Sequence, residues 1–451
     1  MSSVEIKNGL LVTMNERQDI LENATIVVEN DRIVDILRNG NKGTSKTDEV
    51  IDAAGMVVLP GLVNCHVHTV QTLFRGITDN FELLPWLQKY IYPMESVMDA
   101  DDVYIGSLAG YAELIRSGTT TCADMQSVRH VDKAFQAAQE IGIRATIAKA
   151  MMDSESVPEN LREETSYCIK ESLRLIRQWN NVDNGRLRCM FGPRFIQGCS
   201  SSLLKDVGEI ATEHNIGIHI HVAENSAELK QQMEKYKKSP IEVLHQFGLL
   251  GSKSLLVHCV QVNDDDMNII SNSRANVVHC PSSNLKLASG ICDVTALLEK
   301  KINVTIGVDG AACNNNLDIF RDMRLAALLA KISKRSERMP TISAKDILHM
   351  VTIGGATALG LDDKIGSIEK GKKADITIVN LRKLETVPIF SILDSLVYSA
   401  DGHNVETVII NGKIVLRNRQ ISTIDESNLI LKSQLKADNI VKKSGIDIEY
   451  K

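Results

Sequence analysis

The 451-residue chain has no uninterrupted apolar run long enough to span a bilayer, and its first residues, MSSVEIKNGLLVTMNERQ, carry no apolar signal core. It has no block of lysine and arginine; the net charge is -6 with both signs mixed. Nothing would neutralise a run of phosphates, which argues against a nucleic-acid partner. It also has no C-x-x-C pair. Its cysteines, Cys65, Cys122, Cys168, Cys189, Cys199, Cys259, Cys280, Cys292 and Cys313, are odd in number and lack the spacing of a disulfide framework or zinc knuckle. Several, such as Cys122 and Cys189, fall inside apolar runs where a thiol serves as a small buried hydrophobe. No repeat or low-complexity tract stands out. These absences predict a cytoplasmic protein that handles a small molecule, with neither a membrane nor a nucleic acid as partner.

What is present is an alternation of strand-like and helix-like runs. VVLPGLVNC, TTTCADM, RATIAKAMMD, LRCMFGPRF, IGIHIHVAE, SLLVHCV, ANVVHCP and NVTIGVDG read as eight strands. Helical-period segments such as DADDVYIGSLAGYAELIRSG and LDIFRDMRLAALLAK lie between them, as the crossovers of a parallel sheet require. Strand and helix repeated eight times predicts an α/β fold, a (β/α)8 TIM-like barrel over residues 58–365. Asn316 is the expected cap of the helix after Asp309. Residues 1–57 read as strands with an Asn30-Asp31 turn, and residues 366–425 read similarly, with an Asn411-Gly412 turn. Neither end offers enough strands for a core, so the two are expected to form one small β-sandwich domain into which the barrel is inserted. Residues 426–451 are left as a C-terminal tail.

The strand ends carry the chemistry. His66 and His68, two apart on one strand, point to the same side and can reach one ion; alone, such a pair is as readily two hydrogen-bonded polar residues. His219 and His221 form a second pair, with Glu224 three residues beyond. His258, His279 and Asp309 end the next three strands. In a barrel these ends converge at the C-terminal face. Imidazole and carboxylate donors suit Zn²⁺, with Fe²⁺ and Mn²⁺ as alternatives.

PGLVNCHVHTVQTLFRG, HVAE, HCV, HCPSSNLKLASG and GVDGAACNNNLDIFRDMRLAALL together resemble the amidohydrolase superfamily, in its branch of purine and s-triazine aminohydrolases. Within that branch the chain is similar to the 5-methylthioadenosine/S-adenosylhomocysteine deaminases. The likeness covers nearly the whole chain, including GSIEKGKKADITIVN. It implies one divalent metal ion held by His66, His68, His221 and Asp309, with no carboxylated lysine. The family's H-x-x-E pattern selects His221 over His219, which becomes a supporting residue; the role of His279 stays open. An ion so held lowers the pKa of a bound water. The resemblance makes Asp309 the base that takes the water's proton, places His258 within reach, and makes Glu224 the acid that protonates a ring nitrogen. Zinc deaminases of another fold divide the work in the same way. A homo-oligomer is implied as well.

For the substrate, the resemblance points to Glu95 as a carboxylate for ribose hydroxyls and to Trp86 as an aromatic near the pocket. An exposed Glu after Pro93 and a packing Trp are the ordinary readings. Three positions depart from the adenosine type. Arg194 stands where those enzymes have a histidine, and Arg194-Phe195 with Gln71 is similar to guanine deaminases. Lys149 replaces an arginine directed at the homocysteine carboxylate and lacks its bidentate fork. LKLASG, GVDGAACNNNLD and LFRGITDN are nearer the adenosine type. The expected activity is hydrolytic deamination of an adenine nucleoside such as 5-methylthioadenosine or S-adenosylhomocysteine. The alternatives are guanine, another oxidised purine or pterin, or an s-triazine. A scaffold without catalysis, or a cyclic-amide hydrolase with two metals and a bridging lysine, would be the readings of another class.

Overall fold

The computed structural model describes residues 3–38, 47–78, 80–332 and 342–447. Asp79, within the LFRGITDN motif, and residues 448–451 of the expected tail lie outside them. Eight parallel segments form the barrel: β1 (Leu62–His68), β2 (Thr119–Met125), β3 (Arg144–Met151), β4 (Leu187–Pro193), β5 (Ile218–Val222), β6 (Ser254–His258), β7 (Asn276–His279) and β8, which is broken into Val304–Ile306 and Asp309–Gly310. The first piece of β8 pairs with β7 and the second with β1, Asp309 opposite Val67, and this closes the barrel. The strands are buried along nearly their whole length, so they show no alternation of apolar and polar residues, and even Asp124, Arg144 and Lys149 lie buried within them. Inside, Val63, Cys65, Ala123, Ala148, Leu255 and Val278 fill the floor below the strand ends. All nine cysteines are buried and free.

The expected helices form and are capped locally. Ala100–Arg116 starts on Asp99, whose side chain accepts the N–H groups of Asp101 and Asp102, while Asp102 returns a bond to Asp99 N. The helix after Asp309, Ile319–Ala330, is capped by Asp318 and not by Asn316. Asn316 Oδ1 instead accepts the N–H of Asp318 at 2.9 Å, one step earlier in the same turn. The sequence offers two residues of the capping type here, and the turn decides between them.

Both chain ends meet in a second sheet. Its order is Gln420–Ile421, Lys413–Arg417, Val405–Ile410, Ile376–Val379, Val57–Pro60, Ser3–Val12, Ile20–Glu29 and Arg32–Leu37, with Glu49–Asp52 also pairing on Ser3–Val12. The sheet is mixed and continuous, and it buries a core of its own that includes Val4, Ile6, Val28, Ile33, Ile376 and Ile409. Asn411 and Gly412 take the positive φ that a two-residue hairpin needs, 52° and 77°.

Two boundaries differ from the sequence reading. Val57–Pro60 pairs with Ser3–Val12 and Ile376–Val379, so the run VVLPGLVNC divides between the two sheets at Gly61. A side chain at Gly61 would run into that of Thr120, and this close approach lets the chain pass from one sheet to the other. The stretch after 425 is no loose tail: Glu426–Ser444 is a helix that lies on Ala100–Arg116, with Arg116 to Glu426 at 2.6 Å and Lys436 to Asp102 at 3.0 Å. A buried ion pair ties barrel to terminal sheet: Arg144, at the start of β3, donates to both oxygens of Asp375 at 2.7 and 3.0 Å. Among the described residues no helix is long and apolar enough to cross a membrane.

Candidate active site

At the C-terminal ends of the barrel strands, side chains from β1, β5, β6 and β8 converge. His66, His68 and His221 bring ligand atoms within 4.8 Å of one another, and so do His66, His258 and Asp309. His66 Nε2 lies 3.2 Å and His68 Nε2 3.6 Å from Asp309 Oδ1, and His68 Nε2 lies 3.1 Å from His221 Nε2. The rings are aimed by their far nitrogens. His68 Nδ1 donates to the carbonyl of Met125 at 2.7 Å, and His221 Nδ1 to the carbonyl of Arg194 at 2.6 Å. A carbonyl only accepts, so each Nδ1 carries the proton and each Nε2 presents a lone pair to the cluster. His66 Nδ1 meets His219 Nε2 at 2.7 Å, and its buried Nε2 has no hydrogen-bond partner.

Converging lone pairs on buried imidazoles beside a carboxylate are what a divalent cation requires. Burial drives the proton affinity of His66 down to about 4, although the neighbouring Asp309 works the other way. Burial likewise holds His219 and His221 well below the ordinary histidine range. Burial opposes the charge of Asp309 too, but its contact with His66 at 3.2 Å and the surrounding imidazoles hold its carboxyl well below the usual range. Neutral imidazoles and an ionised carboxylate are the ligand forms. The donor set therefore fits a cation of the zinc type.

Glu224 and His258 stand beside the cluster. His258 Nε2 is 3.5 Å from Glu224 Oε2 and 3.9 Å from Asp309 Oδ2, while its Nδ1 donates to Asn284 Oδ1 at 2.8 Å. Burial, reinforced by the negative charges of Asp309 and Glu228, pushes the proton affinity of Glu224 well above that of an ordinary carboxyl. Burial lowers the proton affinity of His258 from its usual value, although Asp309 works the other way. The backbone here is strained. Ala223, His258 and Asp309 adopt left-handed φ of 52°, 77° and 61° although none is glycine.

The cavity above these groups is lined by Gln71, Trp86, Arg194, Phe195 and a set of leucines, Leu83, Leu84, Leu87 and Leu287. Four of the six residues expected to meet substrate are therefore in its wall. The other two are not. Glu95 lies behind Arg194, which grips it with two bonds at 2.6 and 3.0 Å, and Gln71 Nε2 adds a third at 3.2 Å. The exposed glutamate of the ordinary reading is thus a buried one. Lys149 is buried away from the cavity, paired with Glu163 and donating to the carbonyl of Ala150 at 3.1 Å. Its ammonium is already matched, which removes the expected attraction for a substrate carboxylate. His219 backs His66. His279 is buried with neither ring nitrogen hydrogen-bonded among the described residues.

Sequence reasoning missed Asn284, which orients His258, and Glu228, which lines the cavity. Their only signals were position, five residues after His279 in HCPSSN and four after Glu224 in HVAENSAE.

Comparison with known proteins agrees with this geometry. Residues 57–415 match the Amidohydrolase family. The chain is 39% identical over 446 residues to the 5'-deoxyadenosine deaminase of Methanosarcina acetivorans, covering 99% of this chain and 100% of that one. It is 39% identical to the 5-methylthioadenosine/S-adenosylhomocysteine deaminase of Thermoanaerobacter pseudethanolicus, covering 97% and 99%. The crystal structure of a zinc-bound adenosine deaminase from Xanthomonas campestris superposes with a TM-score of 0.91 at 31% identity, over 98% and 99% of the two chains. The protein is a hydrolase acting on carbon–nitrogen bonds. A full-length match, a closed barrel and a histidine-aspartate cluster at its strand ends make the chain a member of the amidohydrolase family.

Proposed function

We propose that the protein deaminates an adenine nucleoside whose 5' position carries a small uncharged group, as in 5'-deoxyadenosine or 5-methylthioadenosine. The reading takes His66, His68, His221 and Asp309 as ligands of one Zn²⁺. When bound, such an ion lowers the pKa of a water toward neutrality. The carboxylate of Asp309 accepts a proton from the attacking water, with His258 Nε2 beside it to hold or pass that proton on. Glu224 delivers its proton to the ring nitrogen next to the carbon under attack, which lets that carbon become tetrahedral. The proton taken from the water then passes to the amino group, which leaves as ammonia, while the ring keeps the water's oxygen as a carbonyl and its remaining proton returns to Glu224.

The observation that carries this reading is Glu224: a buried carboxyl whose proton affinity burial raises, 3.5 Å from a His258 that itself lies 3.9 Å from Asp309. A proton donor and a proton acceptor within reach of one C=N bond are what addition of water to it needs. The 5' preference rests on the wall. Leucines, Trp86 and Phe195 dominate it, its one cation, Arg194, is already matched by Glu95, and Lys149 is matched by Glu163. A homocysteine carboxylate would find no free partner among the described residues.

A second reading, an oxidised purine base, is favoured by the Arg194-Phe195 and Gln71 wall, whose guanidinium and amide could address a ring carbonyl. Ammonia release from zinc-loaded protein decides between them. We expect turnover of 5'-deoxyadenosine and 5-methylthioadenosine above S-adenosylhomocysteine. Turnover confined to guanine, a pterin or an s-triazine would overturn the nucleoside reading.

A further inference from the structure

The turn after β5 holds a carboxylate that neither the ligand cluster nor the proton transfers use. Glu228, in the first turn of the helix Ser226–Tyr236, is buried and lines the cavity together with Glu224. Its carboxylate oxygen Oε2 accepts the backbone N–H of Glu224 at 2.7 Å. The helix cap itself uses another acceptor, Asn225 Oδ1, which takes the N–H of Glu228 at 2.8 Å. The second oxygen of Glu228 is buried without a hydrogen-bond partner.

The turn so held is strained. Ala223 has φ of 52°, a conformation that a residue with a Cβ takes only when its surroundings impose it. That kink separates His221, which faces the cluster, from Glu224, which faces the cavity. If the chain continued extended through Ala223, Glu224 would leave the wall. A cap alone needs no acidic side chain here, because Asn225 already supplies it.

We propose that Glu228 is a positioning residue for Glu224: its carboxylate pins the left-handed turn at Ala223 that aims the proton donor into the cavity. The proposal rests on the role given to Glu224 above. In the full-length, metal-loaded enzyme, E228A is expected to lower kcat about 10- to 100-fold while metal content stays that of the parent. KM should move by no more than about twofold, since ground-state binding does not depend on the proton donor. E228Q, whose amide oxygen still accepts the Glu224 N–H, is expected to recover most of kcat. N225A removes the capping acceptor and leaves the Glu228–Glu224 bond, so it should lower the melting temperature and keep kcat.

Parental kcat in E228A, a loss confined to KM, a loss of metal, or E228Q no faster than E228A would each overturn the proposal. So would an N225A enzyme as slow as E228A. E224Q separates the two levels. A fully active E224Q removes the reading beneath the proposal, whereas an inactive E224Q beside a fully active E228A defeats the proposal alone.

Discussion

His68 Nε2 and His221 Nε2 face each other at 3.1 Å, each ring having committed its other nitrogen to a backbone carbonyl. Two lone pairs at that distance repel unless a proton or a cation lies between them. The carbonyls of Met125 and Arg194 thus prepare a site whose stability depends on what fills it. Metal that binds the folded state alone raises unfolding free energy by about 2.7 kcal/mol when free ion stands at a hundred times its dissociation constant. Chelation should therefore lower both the melting temperature and the activity, and added Zn²⁺ should restore both. H221A should bind no metal and gain nothing from zinc. A chelated protein with unchanged melting temperature and turnover would show that the cluster holds no ion that matters.

Glu224 offers the sharpest separation of chemistry from binding. E224Q keeps the volume of the side chain and leaves His66, His68, His221 and Asp309 untouched, so it should retain the metal. Loss of a positioned proton donor costs about 10²- to 10⁴-fold in kcat. Because the acid form is the working form and burial raises its proton affinity, parental kcat/KM should show a limb that falls with rising pH as Glu224 ionises, above the ordinary carboxyl range. The variant should lack that alkaline limb. Parental turnover in E224Q would remove Glu224 from the reaction.

The pair Arg194 and Glu95 makes a different distinction. Both are buried, and Glu95 reaches the cavity only through Arg194 and Gln71. E95A would leave a buried guanidinium without its counter-charge, at a cost of about 3–5 kcal/mol in unfolding free energy. E95Q, gentler, should lower kcat/KM for nucleosides and for free bases alike by about tenfold, since it loosens the residue that shapes the wall. Measured on both substrate classes, a loss limited to ribosylated compounds would instead give Glu95 the diol.

The barrel and the ligand cluster were legible because their signals are local. Apolar runs of strand length repeat with helices between them, and His66 with His68 share a side by simple alternation. What escaped the sequence depends on partners distant in the chain. The run from Val57 to Val63 has no polar side chain, and its Pro60-Gly61 pair signals a turn without saying that one sheet hands over to another there. Glu95 and Lys149 are charged residues of the right type near the right strands. Their roles were decided by Arg194, 99 residues away, and by Glu163 on a neighbouring loop. Asn316 and Asp318 are equivalent as capping types, and only the geometry of the turn separates them. Glu228 looked like any acidic residue at a helix start, because a bond to the backbone leaves no trace in side-chain spacing.

His279 supplies a test of the buried interior that is independent of catalysis. Burial first, and the repulsion that a protonated His258 would exert second, lower its proton affinity to about 3. In the unfolded chain the ring takes up a proton near its ordinary value of about 6.5. Between those two values the unfolded state binds the extra proton, so stability rises with pH there and falls on acidification. The contribution of this ring is complete above about pH 6.5 and is gone by about pH 3. His66, His219, His221 and His258 act in the same direction, and their share is common to parent and variant. H279Q cannot take up the proton. Between pH 7 and pH 5 its unfolding free energy, measured by denaturant titration, should drop by about 2 kcal/mol less than that of the parent. Parallel pH dependences in the two proteins would mean that His279 is already protonated in the fold, with a partner that its buried surroundings do not show.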